Sequence, residues 1–126
     1  MTVLSFGTFD GLHPGHVELL KHARELGERL VVIGSRDSFI RVVKKREPRM
    51  SEGARLTSLL ALEDVDMALL GDEWPPNDPY RLLDLFDFDV LALGHDQVPD
   101  DEAVRAILSE IGKPHVRVVR LPRFDQ

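Results

Sequence analysis

Two histidines three residues apart sit in a glycine-rich stretch near the N-terminus, Gly7-Thr8-Phe9-Asp10-Gly11-Leu12-His13-Pro14-Gly15-His16. Glycines let a backbone come close to a ligand. The helix that should start near Gly15 or His16 aims amide groups and a partial positive charge at the same place. The guest that suits such an arrangement is an anion. His13 and His16 straddle the loop-to-helix junction, so both imidazoles are able to face one phosphate as hydrogen-bond donors. In-line displacement at an α-phosphate needs positioning, and donors for the charge that develops on the phosphate oxygens and on departing pyrophosphate; it needs no covalent nucleophile from the protein. A plain tight turn would account for an isolated pair of glycines but not for this combination. A zinc site would need a third ligand, and none lies close by in sequence. Neither the three-glycine dinucleotide pattern nor a phosphate loop ending in Gly-Lys-Ser/Thr is present.

A loop of this kind must be held by a scaffold. Short aliphatic runs at Val3–Phe6, Leu30–Ile33, Met67–Leu70, Val90–Leu93 and Val116–Leu121 recur between stretches of helical periodicity and read as buried strands. After the loop, Leu19, Leu20, Ala23 and Leu26 repeat at helical spacing, and Gly27 stands where a left-handed C-terminal cap is expected. Further helices are predicted over Ser51–Leu62 with Ser51 as N-cap, over about Pro79–Phe86, and over about Asp100–Ile111 closed by Gly112. Asp72–Pro79, with prolines at 75, 76 and 79, reads as a loop between elements. Strands that alternate with helices predict an α/β domain built on a doubly wound, parallel five-stranded sheet with helices on both faces, Rossmann-like in plan. Ligands of such sheets bind beyond the carboxyl ends of the strands, where the strand order reverses.

A length of 126 residues fits one domain with a real apolar core. With 43% hydrophobic residues, 30% charged residues and a net charge of -6, the composition is that of a globular protein, and the acidic balance argues against general nucleic-acid binding. The absence of cysteine excludes a disulfide framework and thiolate catalysis. No apolar run reaches the roughly 18 to 20 residues that span a bilayer, and the N-terminus lacks a basic region followed by an apolar signal core. A cytoplasmic location with no membrane partner is the expectation. Against the acidic background, Arg41-Val42-Val43-Lys44-Lys45-Arg46-Glu47-Pro48-Arg49 concentrates five positive charges. By composition alone it is a solvated loop, and its place after a phosphate site gives it a second reading. His22 and His115 read as surface residues, and Asp84, Asp87 and Asp89 as a solvated face flanking core aromatics.

The stretch from Gly7 to His16 resembles the GTFDxxHxGH signature of the cytidylyltransferase-like nucleotidyltransferases, a highly specific motif. The similarity continues through Ser35-Arg36-Asp37, the basic stretch, an arginine on the following helix, Val65-Asp66 leading into Leu70-Gly71, and Gly94-His95-Asp96-Gln97. Within the family it is closest to the archaeal FAD synthases and the bacterial glycerol-3-phosphate cytidylyltransferases.

The resemblance implies a set of roles. His13 and His16 would contact the NTP phosphates, with Lys44 on the triphosphate and Arg55 near the same ligand. Gly7, Thr8 and Phe9 would line the nucleotide, and Gly94 and Asp96 would hold the nucleoside. Arg123, in Leu121-Pro122-Arg123, would add a further contact, and Trp74 would lie near the base or simply pack. Mg²⁺ would accompany the NTP without dedicated protein ligands. In the family, Leu-Pro-Arg is followed by a Ser/Thr-rich loop and a last helix, which have no counterpart in the residues up to Gln126. The Asp-Gln spelling resembles FAD synthases, whereas the related cytidylyltransferases carry a tryptophan after that aspartate. The expected reaction is therefore ATP plus FMN giving FAD and pyrophosphate. The alternatives are CTP:glycerol-3-phosphate cytidylyl transfer, which Trp74 and Leu-Pro-Arg favour, and a non-catalytic nucleotide-binding domain. The apolar strands and the pair Phe86/Phe88 permit a homodimer.

Overall fold

The computed structural model describes residues 1–12, 14–71, 83, 87–95 and 100–122, with the Val43 side chain excepted. Five strands, β1 (Thr2–Gly7), β2 (Arg29–Gly34), β3 (Met67–Leu70), β4 (Val90–Leu93) and β5 (Arg117–Arg120), form one sheet in the order β3-β2-β1-β4-β5. Every pairing is parallel, with Gly7 opposite Gly34, Ser5 opposite Ala92 and Leu93 opposite Arg120. All five expected strands are present within a residue or two at each end.

A parallel sheet is covered on both faces, which is why its strands are written as unbroken aliphatic runs instead of alternating ones. Alternate residues then serve different cores. Val3, Leu30, Val32, Ala68, Val90 and Ala92 pack with Leu20 and Ala23 of α1 (Pro14–Arg24) and with Leu59. Leu59 lies on a further helix, Glu52–Leu60. On the other face Leu4, Val31, Ile33, Leu91 and Leu93 pack with Val104 and Leu108 of the helix Asp101–Glu110. Fully burying a leucine of this kind contributes about 1.5–3 kcal/mol, so the two layers together supply the main drive for folding.

The helix Asp37–Val43, here α2, has no counterpart in the sequence reading. It is seven residues long, too short for a periodic pattern to stand out, and among its described side chains Ile40 alone is fully buried, at 0% exposed. Glu52–Leu60 is accordingly α3 and Asp101–Glu110 is α4. Ser51 caps α3 as expected, its hydroxyl accepting from the Ala54 amide at 3.2 Å, and Asp100 caps α4 by accepting from the Ala103 amide at 2.9 Å. Gly112 closes α4 with a φ of +79°. Of the helix expected over Pro79–Phe86, only Leu83 lies within the described residues, and it is buried in the second core. The loop Asp72–Pro79 with Trp74 lies outside them.

Gly27 departs from expectation. It is not left-handed; positive φ among described glycines belongs to Gly11 and Gly112. Its lack of a side chain serves a close approach, since a methyl there would run into the Met1 carbonyl oxygen and stand 3.0 Å from Val3 Cγ2. Replacing Gly27 with Ala is expected to displace the start of β1 and lower stability by about 1–3 kcal/mol, as overpacking does. A urea titration with an unshifted midpoint would refute this.

Phe88 is 3% exposed, in the core, with Lys113 Nζ 5.8 Å from its ring centre. It is therefore closed to the dimer interface that its sequence position permitted; Phe86 lies outside the described residues. None of the described helices is long and apolar enough to cross a membrane.

Candidate active site

In the order β3-β2-β1-β4-β5 the chain moves outward in one direction from β1 through β2, then returns to the other side at β4, so the crevice between the carboxyl ends of β1 and β4 is the switch point. Glycines line this rim. Gly7 ends β1 opposite Gly34, and the β1/β4 offset carried two residues further sets Gly94 beside Gly7. The stretch from Gly7 to Leu12 leaves the central strand here and feeds α1, which opens at Pro14, where a residue without an amide proton costs the helix nothing. The positive end of the α1 dipole thus faces the loop.

The loop is held in a strained shape. Phe9 has a left-handed φ of +51°, rare for an aromatic residue, and its side chain is buried. Its ring stands edge-to-face against the His16 imidazole, centres 5.5 Å apart and planes 77° apart. Gly7 makes room for this ring, since a methyl at Gly7 would come within 2.9 Å of it. His16, near the start of α1, is thereby placed at the loop with its ring turned by Phe9. His13 lies outside the described residues.

Asp10 contributes what the sequence reading overlooked. Its carboxylate is 2% exposed and accepts three hydrogen bonds from the basic segment: the Arg49 amide at 2.8 Å, the Met50 amide at 2.9 Å and Arg46 Nη1 at 2.7 Å. Burial works to raise its pKa, but those donors outweigh burial and hold it down at about 2. The glycine-rich loop and the basic segment are thereby tied together. The clue was present in the motif, a carboxylate between glycines, but its partners are 36 to 40 positions away.

Residues 41–43 of the basic segment form the end of α2, and Lys44 is its exposed C-cap, its amide donating to the Ile40 carbonyl at 3.1 Å. Lys45 follows with a φ of +56°. Arg41 is already paired with Glu47 at 3.0 Å and Arg46 with Asp10, whereas Lys44, Lys45 and Arg49 present exposed side chains.

Arg55 is placed differently from the expectation. It is 1% exposed, donating to Asp37 Oδ1 at 2.8 Å and to the Met50 and Ser35 carbonyls at 2.6 Å each. A guanidinium so enclosed is not open to a triphosphate, and its work in this geometry is to join Asp37 and Met50, which flank the basic segment, to the end of β2. It belongs to a pattern. Arg36 donates to the Gly71 carbonyl at 2.7 Å and to Glu52 at 2.8 Å, and Arg120 donates to the Gly94 carbonyl at 2.7 Å and to Asp101 at 2.9 Å. In all three cases an arginine bridges a carbonyl just past a strand end and the acid that begins a helix, Asp37, Glu52 or Asp101. Carboxylates at helix N-termini are favourable in their own right, so each bridge reinforces two elements at once.

Thr8 is partly exposed on the loop, and Gly94 lies at the rim with its carbonyl engaged by Arg120. Asp96 and Arg123 lie outside the described residues. Among the described residues no group of three or more His, Asp or Glu side chains comes together to hold a metal ion. The arrangement can seat a polyphosphate against the α1 N-terminus, flanked by the cations of the basic segment, with a nucleoside toward β4.

The chain is similar to known proteins over nearly its whole length. The cytidylyltransferase-like family profile matches residues 4–121. The chain is 42% identical over 123 residues to the FAD synthase of Methanocella paludicola, covering 98% of this chain and 84% of that protein. It is 44% identical over 120 residues to the FAD synthase of Methanosarcina barkeri, covering 95% and 82%. Among solved structures, the lipopolysaccharide core biosynthesis protein from Thermoplasma volcanium superposes with a TM-score of 0.86 at 33% identity, covering 99% of this chain and 98% of that one. A protein of unknown function from Archaeoglobus fulgidus shares the fold, with a TM-score of 0.70 at 19% identity.

Proposed function

Because the chain belongs to the cytidylyltransferase-like family, we propose that it is an FMN adenylyltransferase, which joins ATP and FMN to give FAD and pyrophosphate. The observation that carries this reading is the glycine-rich loop that leaves the central strand at the switch point, with His16 set by Phe9 at the positive end of α1. The similarity to archaeal FAD synthases over nearly the whole chain supports the choice of ATP and FMN.

In this reaction a phosphate oxygen of FMN attacks the α-phosphorus of ATP. The new oxygen–phosphorus bond forms as the bond from that phosphorus to the β-phosphate bridging oxygen breaks, and the electron pair leaves with pyrophosphate. His16, with His13, donates hydrogen bonds to the phosphate oxygens as charge moves onto them. The amides of the loop and the dipole of α1 hold the triphosphate, with Gly7, Thr8 and Phe9 as its wall. Lys44 offsets charge on the leaving pyrophosphate. Arg55 acts through Asp37 and the Met50 carbonyl, keeping the lysine-bearing segment in place. Gly94 and Asp96 seat the nucleoside, and Arg123 adds a contact near the triphosphate. Nucleotidyltransferases of this kind use a divalent cation, which we assign as Mg²⁺ entering on the phosphates of ATP. The described residues supply no cage of their own for it.

The test is a pyrophosphate-release assay crossing ATP and CTP with FMN and glycerol 3-phosphate, with the flavin product identified by chromatography. Release with ATP and FMN, accompanied by FAD, is expected. Release only with CTP and glycerol 3-phosphate would replace the reading with cytidylyl transfer, and nucleotide binding without any release would make the chain a binding domain.

A further inference from the structure

Arg120 belongs to neither the histidine loop nor the basic segment, yet it is built into the rim at the switch point. It ends β5, on the far side of β4 from β1. All three nitrogens of its guanidinium are engaged: Nη1 on the Gly94 carbonyl at 2.7 Å, and Nε and Nη2 on one oxygen of Asp101, at 2.9 and 2.7 Å. One step along, the Leu121 amide donates to the Leu93 carbonyl at 2.8 Å, so two successive carbonyls at the end of β4 are fixed from β5, the second by a side chain.

A planar donor fork clamped on both sides has little freedom, and Asp101 is itself the first residue of α4. Gly94 cannot define its own backbone orientation, since glycine is the residue with most conformations open to it. The guanidinium therefore sets the plane of the Gly94–His95 peptide, which stands beside Gly7 across the crevice. With the phosphates at the α1 end of that crevice, the β4 end is where the nucleoside lies.

We propose that Arg120 is a positioning residue for nucleoside binding, which fixes the Gly94–His95 peptide through its joint hold on the Gly94 carbonyl and Asp101. This rests on the reading of the chain as an ATP-using nucleotidyltransferase. Arg120 touches no substrate and does not help the phosphoryl chemistry, so its loss weakens ATP binding while leaving the acceptor side alone.

Arg120→Gln, Arg120→Lys and Asp101→Asn, with the double variant Arg120→Gln/Asp101→Asn, test this by calorimetric ATP binding and by steady-state FAD synthesis. ATP should bind Arg120→Gln about tenfold more weakly, the usual scale for a lost charge-assisted contact, with KM for ATP rising in step. The KM for FMN and kcat at saturating ATP should stay within about twofold, the signature of an interaction felt equally by bound substrate and transition state. Asp101→Asn should give part of the same loss, and the double variant should be no worse than Arg120→Gln alone, because both cut one connected unit. Arg120→Lys keeps the charge but not the fork, and it reports on the clamp if the glutamine variant folds poorly. The proposal is overturned if ATP affinity is unchanged in Arg120→Lys and Arg120→Gln, or if kcat and KM for FMN deteriorate together with it. Wild-type protein that binds ATP tightly but makes no FAD would instead overturn the assigned reaction and leave the binding result to decide this one; wild-type protein that does not bind ATP would sink both.

Discussion

His16→Ala should lower kcat for FAD synthesis by a factor on the order of 10² to 10³, while KM for ATP changes little, because a donor aimed at developing charge acts mainly in the transition state. The geometry argues for a large effect. The imidazole is held edge-on by a buried phenyl ring whose own backbone sits at a φ of +51°, so the donor is placed before substrate arrives. Preorganisation of this kind is what makes the loss of one group costly, since water or a neighbouring side chain cannot take up the same position. Phe9→Leu should produce a milder version of the same defect. The check is single-turnover kinetics with saturating ATP, in protein whose thermal unfolding matches wild type. Turnover within a few-fold of wild type would remove His16 from the chemistry.

The second large effect is expected at Asp10. Removing its carboxylate with Asp10→Ala leaves two backbone amides and a guanidinium without their acceptor. Each lost hydrogen bond of this type costs about 1–3 kcal/mol, the Arg46 contact at the low end because that side chain is 40% exposed. The basic segment would then separate from the glycine-rich loop, so KM for ATP should rise together with the fall in stability. Asp10→Asn retains an oxygen for one or both amides and should be intermediate. The pH dependence has a definite sign. A carboxylate held at about 2 when folded, against 3.8 when unfolded, contributes stability that is complete above the unfolded value and is lost as pH falls through the folded one. The contribution is on the order of 2 kcal/mol, disappearing between about pH 4 and pH 2. Acid titrations of wild type and Asp10→Asn should therefore converge toward pH 2 and separate above pH 4. Parallel curves throughout that range would refute the account.

The strands were legible because a parallel sheet buried on both faces leaves a direct trace: Val3-Leu4, Leu30-Val31-Val32-Ile33 and Val90-Leu91-Ala92-Leu93 are aliphatic without interruption, as few other local structures require. The cap at Ser51 was legible because it is local chemistry, one side chain and an amide three residues on. Gly27 was misread for the same reason in reverse. Its position after a helix invited a local explanation, and the actual constraint is a strand start packed against it from elsewhere in the fold. The rim arginines were invisible in their true role. Arg36 meets Gly71 35 positions away and Arg120 meets Gly94 26 positions away, and nothing in composition or periodicity relates such pairs. Arg55 likewise depends on contacts that the sequence does not display. Its family equivalence says it stands near the ligand, but only burial reveals that its guanidinium is spent on Asp37, Met50 and Ser35.

The central place of β1 has a consequence for how the protein breathes. Its amides are enclosed by neighbours on both sides and by packing above and below, with Val3, Leu4 and Ser5 all at 2% exposure or less. Protons there can exchange with solvent only when the whole domain comes apart, whereas β3 and β5, each four residues long at the margins, can be reached by partial opening. The glycine-rich loop is thus rooted in the slowest-opening part of the molecule, and transient fraying of β3 at its margin leaves that root in place.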